Sequence, residues 1–431
     1  MWKRWYKKFR LLRVLIQCTI ALIRLFVNFF ILFKSKVSFN NAPLKIAFIA
    51  PIHSAHFANF MEKLHSQYRD ENMEVCLINS DPNNLIRSFN FKDILIDGSI
   101  YSLFGYNKSA IDWQHDIFVR GENEIGKLAK KYVHYMLYMY KPELIWVHDL
   151  QTGGYMLEDK IGSLKKRFKK ATICASVWGN DLYYFKDSPV HVNKLQKILK
   201  DVDFLHIESE RERKVALKLG YLGEFFPVSN ITMTDSKKFM CDTVVEEKDI
   251  FIVVKGSYFF RSNILSFIHN LECDFSFWGG RKIVFVNVTD EDVFHILRVK
   301  HKHNLDIEYK RVLAHKEFIS TLSKAKFFLS LNLSDGIPNS VAEAVHVNCI
   351  PVMSNHTGLS NALNNFVTDL IVYEFSGVIF SKIFACLISL SNKDVEILLS
   401  DLKGVFQNQL YNENVQKNIF DKVLSHVKET R

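Results

Sequence analysis

From Leu44 onward, short apolar runs alternate with stretches in which apolar positions recur every three or four residues, the periods of strands and helices. Leu44 to Ala50, Glu74 to Asn79, Leu144 to Val147, Ala171 to Val177 and Phe204 to Ile207 read as strands. Phe57 to Gln67, Glu122 to Tyr140 and Ser209 to Leu219 carry helical spacing between them. A second series runs through Ile250 to Val254, Ile283 to Val286, Leu305 to Tyr309, Phe327 to Leu331 and Ile350 to Met353, again with helices between. Strand–helix alternation of this kind builds parallel sheets, so the expected fold class is α/β, with two doubly wound units in succession.

The polar, aperiodic segment Ser229 to Asp249 reads as the linker between the two series. The expected domains are therefore residues 41–230 and 231–431, each Rossmann-like, preceded by a separate segment 1–40. Residues from about Gly377 to Lys428 look helical and are expected to pack on the second domain and cross back to the first. Ligands of such sheets lie beyond the carboxyl ends of the strands, so the expected site is a cleft between the two domains.

The N-terminal segment follows a different pattern. On a helical projection Lys3, Lys7, Arg10, Arg13, Gln17, Arg24 and Asn28 share roughly one third of the circumference, and Leu, Ile, Val and Phe fill the rest. Trp2, Trp5 and Tyr6 suit a lipid headgroup layer. A helix lying in the membrane plane, with residues 1–36 against anionic lipid, fits this pattern. A span over Val14 to Phe33 would put Arg24, Gln17 and Asn28 in hydrocarbon, and a helix packed on the protein's own body or on a partner is the remaining alternative. No small-residue cleavage site follows the apolar stretch, so a secretory signal peptide is not expected.

Charge supports the membrane reading over a nucleic-acid one. The chain has 431 residues, 48% hydrophobic and 24% charged, with a net charge of +10. Residues 1–45 hold ten Lys or Arg and no acid, so the remaining 46 of the 56 basic residues face all 46 acidic ones. The excess is confined to the most apolar segment, and no nucleic-acid partner is expected. Seven scattered cysteines without a C-x-x-C pair read as reduced cytosolic thiols, whereas a span would by the positive-inside rule send the body out of the cytoplasm; the expected location is therefore cytoplasmic, peripheral on the inner face of the membrane.

Candidate chemistry concentrates at Leu329 to Ala344. An apolar run ends in a turn containing Asp335, Gly336, Ile337 and Pro338, and a helix then opens with Asn339 or Ser340 as its cap and Glu343 one turn inside. Two carboxylates bracket one helix N-terminus, where exposed N–H groups and the helix dipole receive phosphate and hydroxyl groups. That combination points to a nucleotide sugar. At the end of the second domain's first strand, Lys255, Gly256 and Arg261 supply positive charge for a diphosphate, Lys255 as a point charge and Arg261 as a bidentate fork. In the first domain, His56 begins a helix after Pro51, and Asn180 and Asp181 follow Trp178 and Gly179. His53 and His56 lack a third ligand, so no metal is expected. His148-Asp149 is followed by Gln151 to Gly154, which reads as a turn at the cleft lip.

Asp335-Gly336-Ile337-Pro338 through Glu343-Ala344, followed by Ile350-Pro351-Val352, resembles the signature of glycosyltransferase family 4, in which an acidic residue, seven positions and a Glu precede a strand. Trp178 to Leu182 resembles that family's His-Gly-Ser-Asp segment, and Ile207 to Glu210 with Leu219-Gly220 its strand and helix before the linker. Asp335 stands where Glu is usual, Trp178 where His is frequent, and the glycines common after the first strand are missing.

The resemblance implies a GT-B fold, a first domain on the acceptor side, and retaining transfer from a nucleotide sugar without a cofactor or obligatory metal. Glu343 would then hold the ribose diol and Asp335 a donor-sugar hydroxyl, with the N–H groups of Gly336 and Ile337 near sugar or phosphate. Pro338, Asn339, Gly256, Asn180 and Asp181 would complete the donor site. His56 would face donor or acceptor. The expected acceptor is lipid-linked or a bacterial surface polysaccharide. A nucleotide-sugar epimerase and a non-catalytic membrane-bound partner remain as alternatives. Dinucleotide, P-loop, zinc-protease and serine-hydrolase motifs are absent from the sequence.

Overall fold

The computed structural model describes residues 43–51, 55–68, 71, 73–80, 99–101, 124–158, 161–168, 171–230, 248–256, 262–359, 370–375 and 378–430. The expected amphipathic segment 1–40, most of the expected linker and residues 257–261 lie outside them. Among the described residues, no helix is long and apolar enough to cross a membrane. By density of backbone contacts the chain divides into two compact units, residues 1–173 with 430–431, and residues 174–429.

The first sheet has seven strands: β1 (Leu44–Ala50), β2 (Met73–Asn79), β3 (Ser99–Tyr101), β4 (Leu144–His148), β5 (Thr172–Ser176), β6 (Phe204–His206) and β7 (Glu224–Phe225). They are ordered β3-β2-β1-β4-β5-β6-β7, and the β1–β2, β1–β4, β2–β3, β5–β6 and β6–β7 ladders are parallel. The second sheet has β8 (Ile250–Lys255), β9 (Ile283–Val286), β10 (Ile307–Lys310), β11 (Ala325–Ser330), β12 (Ile350–Ser354) and β13 (Ile371–Val372), ordered β10-β9-β8-β11-β12-β13 and parallel throughout. In both sheets the order reverses direction once, between β1 and β4 and between β8 and β11. These are two doubly wound Rossmann-like sheets, as the strand–helix alternation predicts.

Strands such as β4 and β12 are buried along their whole length, which is why they read as apolar runs without alternation. Helix Ala55–Tyr68 buries Phe57, Phe60, Met61, Leu64 and Tyr68, one stripe at helical spacing. Helix Glu210–Lys218 opens with a capping box: Ser209 Oγ accepts from Glu212 N, and Glu212 Oε2 accepts from Ser209 N at 3.1 Å. In the second unit the largest buried side chain is Trp278. It rests against Phe267, Phe384 and Phe251 and donates to Asn270 Oδ1 at 3.1 Å.

Three strands escape the periodicity reading. β3, β7 and β13 have two or three residues each, too few for a period to register. Gln151 to Gly154 also differs from expectation: Asp149–Gly153 forms a π-helical turn continued by a 3-10 turn, Gly154–Met156, that is buried. Gly153 lies so close to β1 that an added Cβ would stand 2.7 Å from the Ile49 carbonyl oxygen. The C-terminal helices Ile379–Ile388, Asn392–Val405 and Glu413–Thr430 are present as expected. The last of them reaches β6 and β7, where His426 stacks edge-on to Phe204 at 5.1 Å and Lys422 pairs with Glu224.

Candidate functional site

The reversal of strand order in the second sheet places the ends of β8 and β11 side by side, with Lys255 in register with Ser330. Such a switch point is where open parallel sheets accept ligands. After β11 the chain turns through Leu331 to Pro338 and enters helix Asn339–His346. Lys255 Nζ reaches that helix and donates to Ser340 Oγ at 3.0 Å. Gly256 is buried next to it, and a Cβ there would stand 2.6 Å from the Asn287 carbonyl oxygen.

The cap of this helix is neither Asn339 nor Ser340, in contrast to what the spacing suggests. Pro338 takes the N-cap position with φ −71° and ψ 111°, and it has no side chain to offer the first turn. Asn339 Oδ1 is engaged elsewhere, accepting from Tyr411 Oη at 2.7 Å and from Asn230 Nδ2 at 3.1 Å. Burial, reinforced by the charges of Glu208 and Glu343, pushes the Tyr411 phenol well above its usual range, so it stays a proton donor. The N-terminal turn therefore carries no side-chain cap, and a lysine ammonium lies against it. Orphan N–H groups, the helix dipole and a cation together favour an anion.

Glu343 sits further along the same helix, with its side chain 9% exposed. Its Oε1 is 2.8 Å from Nε2 of His315, the first residue of helix His315–Ser323. The hydrogen bond to Glu343 raises the His315 pKa, burial opposes it, and the charge of Glu343 raises it further. A nearly buried carboxylate held on one oxygen by an imidazole is oriented, with its second oxygen available as an acceptor.

The turn before the helix is fixed by a segment 123 to 129 positions earlier in the chain. Glu208 Oε2 accepts from Ile337 N at 3.1 Å, so the N–H expected to face a donor serves Glu208 instead. Gly336 permits this contact, since a Cβ there would collide with the Glu208 carboxylate. Gly179, at φ +68°, meets the Gly336 backbone nitrogen so closely that it too excludes a Cβ. Arg211 completes the tie: it donates to the carbonyl oxygens of Ser334 at 3.1 Å, Asp335 at 3.2 Å and His356. Its guanidinium stands 3.8 Å from the centre of the Tyr183 ring and pairs with Glu212 at 3.2 Å. Burial pushes the Glu212 carboxyl up, against the pull of Arg211 and of two backbone N–H groups.

Asp335 is half-buried, and Asn332 Nδ2 donates to its Oδ2. Asp181 Oδ2 accepts from Trp178 N at 3.1 Å and is 2% exposed, so it closes the turn around Gly179 rather than standing open. Asn180 begins the short helix Asn180–Tyr183, and His56 lies in the first turn of helix Ala55–Tyr68. Their side chains, and all of Arg261, are outside the described residues. The structure thus brings together Lys255, Gly256, Asp335, Gly336, Ile337, Pro338, Asn339 and Glu343 around one helix start. Among the described residues no cluster of three His, Cys, Asp or Glu has metal-binding geometry.

Sequence patterning does not identify Glu208, Arg211, His315 and Tyr411 as neighbours of this helix. Each lies at least 28 positions from its partner there, so no local period could signal it. The one sequence trace is the Ser209-x-x-Glu212 capping box, which marks a helix start next to Glu208 and Arg211.

No family model matches the sequence, and no curated protein matches it significantly. Solved structures do resemble it. The N-terminal domain of trehalose-6-phosphate phosphatase from Candida albicans superposes with a TM-score of 0.65 at 16% identity, covering 90% of this chain and 98% of that one. HepE from Anabaena, solved in complex with UDP and glucose, gives 0.61 at 10% identity, covering 89% and 100%. The lipopolysaccharide outer core galactosyltransferase WaaB gives 0.57 at 12% identity, covering 88% and 100%. With two parallel Rossmann-like sheets in this order and these structural neighbours, the chain has the GT-B fold.

Proposed function

We propose that this chain is a retaining glycosyltransferase that moves a sugar from a nucleotide donor to a lipid-linked or surface-polysaccharide acceptor at the membrane. The observation that carries the reading is helix Asn339–His346. Its first turn, without a side-chain cap, has the Lys255 ammonium on Ser340 at 3.0 Å, and its second turn presents Glu343 held by His315 at 2.8 Å. A nucleoside diphosphate needs both features, cationic charge and N–H groups for the diphosphate and a carboxylate for the ribose diol. HepE, of the same fold, holds UDP and glucose, and WaaB is a galactosyltransferase of the lipopolysaccharide outer core, which favours this class of donor and acceptor.

In this reading Lys255 and Arg261 stabilise charge on the departing diphosphate, and Asp335, oriented by Asn332, takes a hydroxyl of the donor sugar. The departing diphosphate accepts the acceptor's proton on the same face. The basic N-terminal segment holds the body at anionic lipid on the cytoplasmic side, raising the local concentration of a lipid-borne acceptor. No cofactor or obligatory metal takes part.

The test is a screen of UDP-, GDP-, ADP- and dTDP-sugars for hydrolysis and transfer, followed by Lys255→Ala and Glu343→Ala on the active donor. Both variants are expected to lower turnover at least about tenfold, the loss that one charged contact to the departing group produces. Full activity in both overturns the assignment, and a product formed from the donor without any acceptor or hydrolysis indicates an epimerase.

A further inference from the structure

The body of the protein is neutral in sum, yet its charge is unevenly placed. Residues 125–142 and 161–172 contain nine Lys or Arg and no Asp or Glu. They form most of helices Glu124–Tyr140 and Ile161–Arg167 of the first unit. The two helices meet where the Arg167 guanidinium lies 3.9 Å from the centre of the Tyr138 ring.

Lys131, Tyr135 and Tyr138 fall at i, i+4 and i+7, on one helix face, and all three are exposed. The opposite face buries Val133, Met136, Leu137 and Tyr140. Lys166 and Arg167 are exposed on the neighbouring helix, and Lys141 follows Tyr140 into solvent. Lys130 pairs with the buried Glu158 at 3.1 Å. The result is a surface of cationic heads interleaved with amphipathic phenols, held by a cation–π contact.

We propose that this face is a second contact of the protein with an anionic membrane surface. The lysines and arginines meet lipid phosphate and acidic headgroups, and Tyr135 and Tyr138 enter the headgroup layer, the level that tyrosine prefers. Two observations favour a membrane over another polyanion. The exposed Tyr138 has one ring face covered by the Arg167 guanidinium at 3.9 Å, which takes up the face that base stacking by single-stranded nucleic acid would need. The second is the route of the chain. The described body begins at Pro43, and the start of β1 is tied to the end of this face: Lys45 N donates to Glu143 Oε2 at 3.1 Å, and Lys45 Nζ stands 5.4 Å from the centre of the Tyr140 ring. The chain therefore enters β1 beside Tyr140 and Glu143, at the end of this face, and the basic, apolar segment directly precedes it in sequence.

The experiment uses the full-length protein and vesicles of phosphatidylcholine with about one third phosphatidylglycerol, against phosphatidylcholine alone. The triple variant Lys131→Glu, Lys166→Glu, Arg167→Glu loses at least about a hundredfold in partitioning onto the anionic vesicles, since three basic residues at about 1 kcal/mol each are removed and each tenfold is about 1.4 kcal/mol. The same charge change at Lys214, Lys218 and Lys393, exposed lysines of the second unit, leaves partitioning within about twofold of wild type. Tyr138→Trp, which keeps an amphipathic ring, gains a fluorescence component quenched by brominated lipid. An unaffected triple variant, an equal loss in the control variant, or an added fluorescence component that stays unquenched in vesicle-bound Tyr138→Trp protein each overturns the proposal. So does a triple variant that loses heparin or RNA binding but keeps vesicle binding. The outcome is independent of donor turnover, so it stands or falls apart from the proposed reaction.

Discussion

Replacing Glu343 by Gln removes one negative charge and leaves the shape of a nearly buried side chain unchanged. Two consequences follow from the 2.8 Å contact with His315. The first concerns the imidazole. Its pKa is raised by the hydrogen bond and by the charge of Glu343, against burial, which lowers it. The Glu343→Gln change removes the charge and weakens the bond, so the His315 pKa falls to or below 6.5, its ordinary value. In the wild type the raised pKa contributes stability that is complete below 6.5 and is lost as pH rises through the folded-state value; with the imidazole side chain 67% exposed, that contribution is small.

The second consequence is the affinity for a nucleoside diphosphate. With the ribose diol held by Glu343 as proposed, two hydroxyls would exchange a carboxylate for a neutral amide, a difference of about 1 kcal/mol each. The sum, about 2 kcal/mol, corresponds to a roughly 30-fold weaker dissociation constant. Calorimetric titration with the preferred nucleoside diphosphate measures the affinity, and histidine-selective NMR measures the His315 titration. If the His315 pKa falls while nucleotide affinity stays at the wild-type value, the pair exists but is no part of a nucleotide site, and the proposed function loses its main support. If the His315 pKa does not move, the contact itself is refuted.

Three further outcomes are expected. Burial lowers the pKa of His206 to about 3, against a hydrogen bond with the Ser229 backbone that raises it, so the folded protein refuses a proton that the unfolded chain binds below 6.5; stability is full above 6.5 and falls by about 1.4 kcal/mol per pH unit toward 3. His206→Gln flattens that slope in denaturant titrations at about pH 7 and pH 5, and an unchanged slope contradicts the assignment. Gly179→Ala places a methyl against Gly336 N at a left-handed φ of +68° and lowers stability by roughly 2 kcal/mol, measured as a drop in melting temperature. Tyr411→Phe leaves Asn339 without its 2.7 Å donor and costs about 1 to 2 kcal/mol of stability; a loss smaller than about 0.5 kcal/mol shows that the hydroxyl is dispensable.

Much of the fold is legible in the residues. Strand β1 at Leu44–Ala50 and strand β9 at Ile283–Val286 have the bounds that their apolar runs predict, because a strand buried on both faces ends where apolar residues end. Helix Ala55–Tyr68 exceeds its expected span by two residues at the start, which precede the first apolar position of its stripe, and by Tyr68 at the end, which continues that stripe. β7 and β13 leave no trace in the sequence because two residues carry no pattern; they exist through ladders with β6 and β12.

At the candidate site the split falls along a similar line. The order of Asp335, Pro338, Asn339 and Glu343 determines that a helix start bearing two carboxylates follows an apolar strand, since those are relations between near neighbours in the chain. The cap departs from the local pattern because Asn339 has a competing partner, Tyr411, 72 positions away. The occupation of the Ile337 N–H by Glu208, the orientation of Glu343 by His315 and the fastening of the turn by Arg211 depend on segments 28 to 145 positions apart. Local patterning sets which elements form and what chemical groups they carry. Which carboxylate is left to receive a ligand, and which is used to hold the backbone, is decided by long-range packing, because hydrogen-bonding capacity is finite and a distant side chain can claim it first.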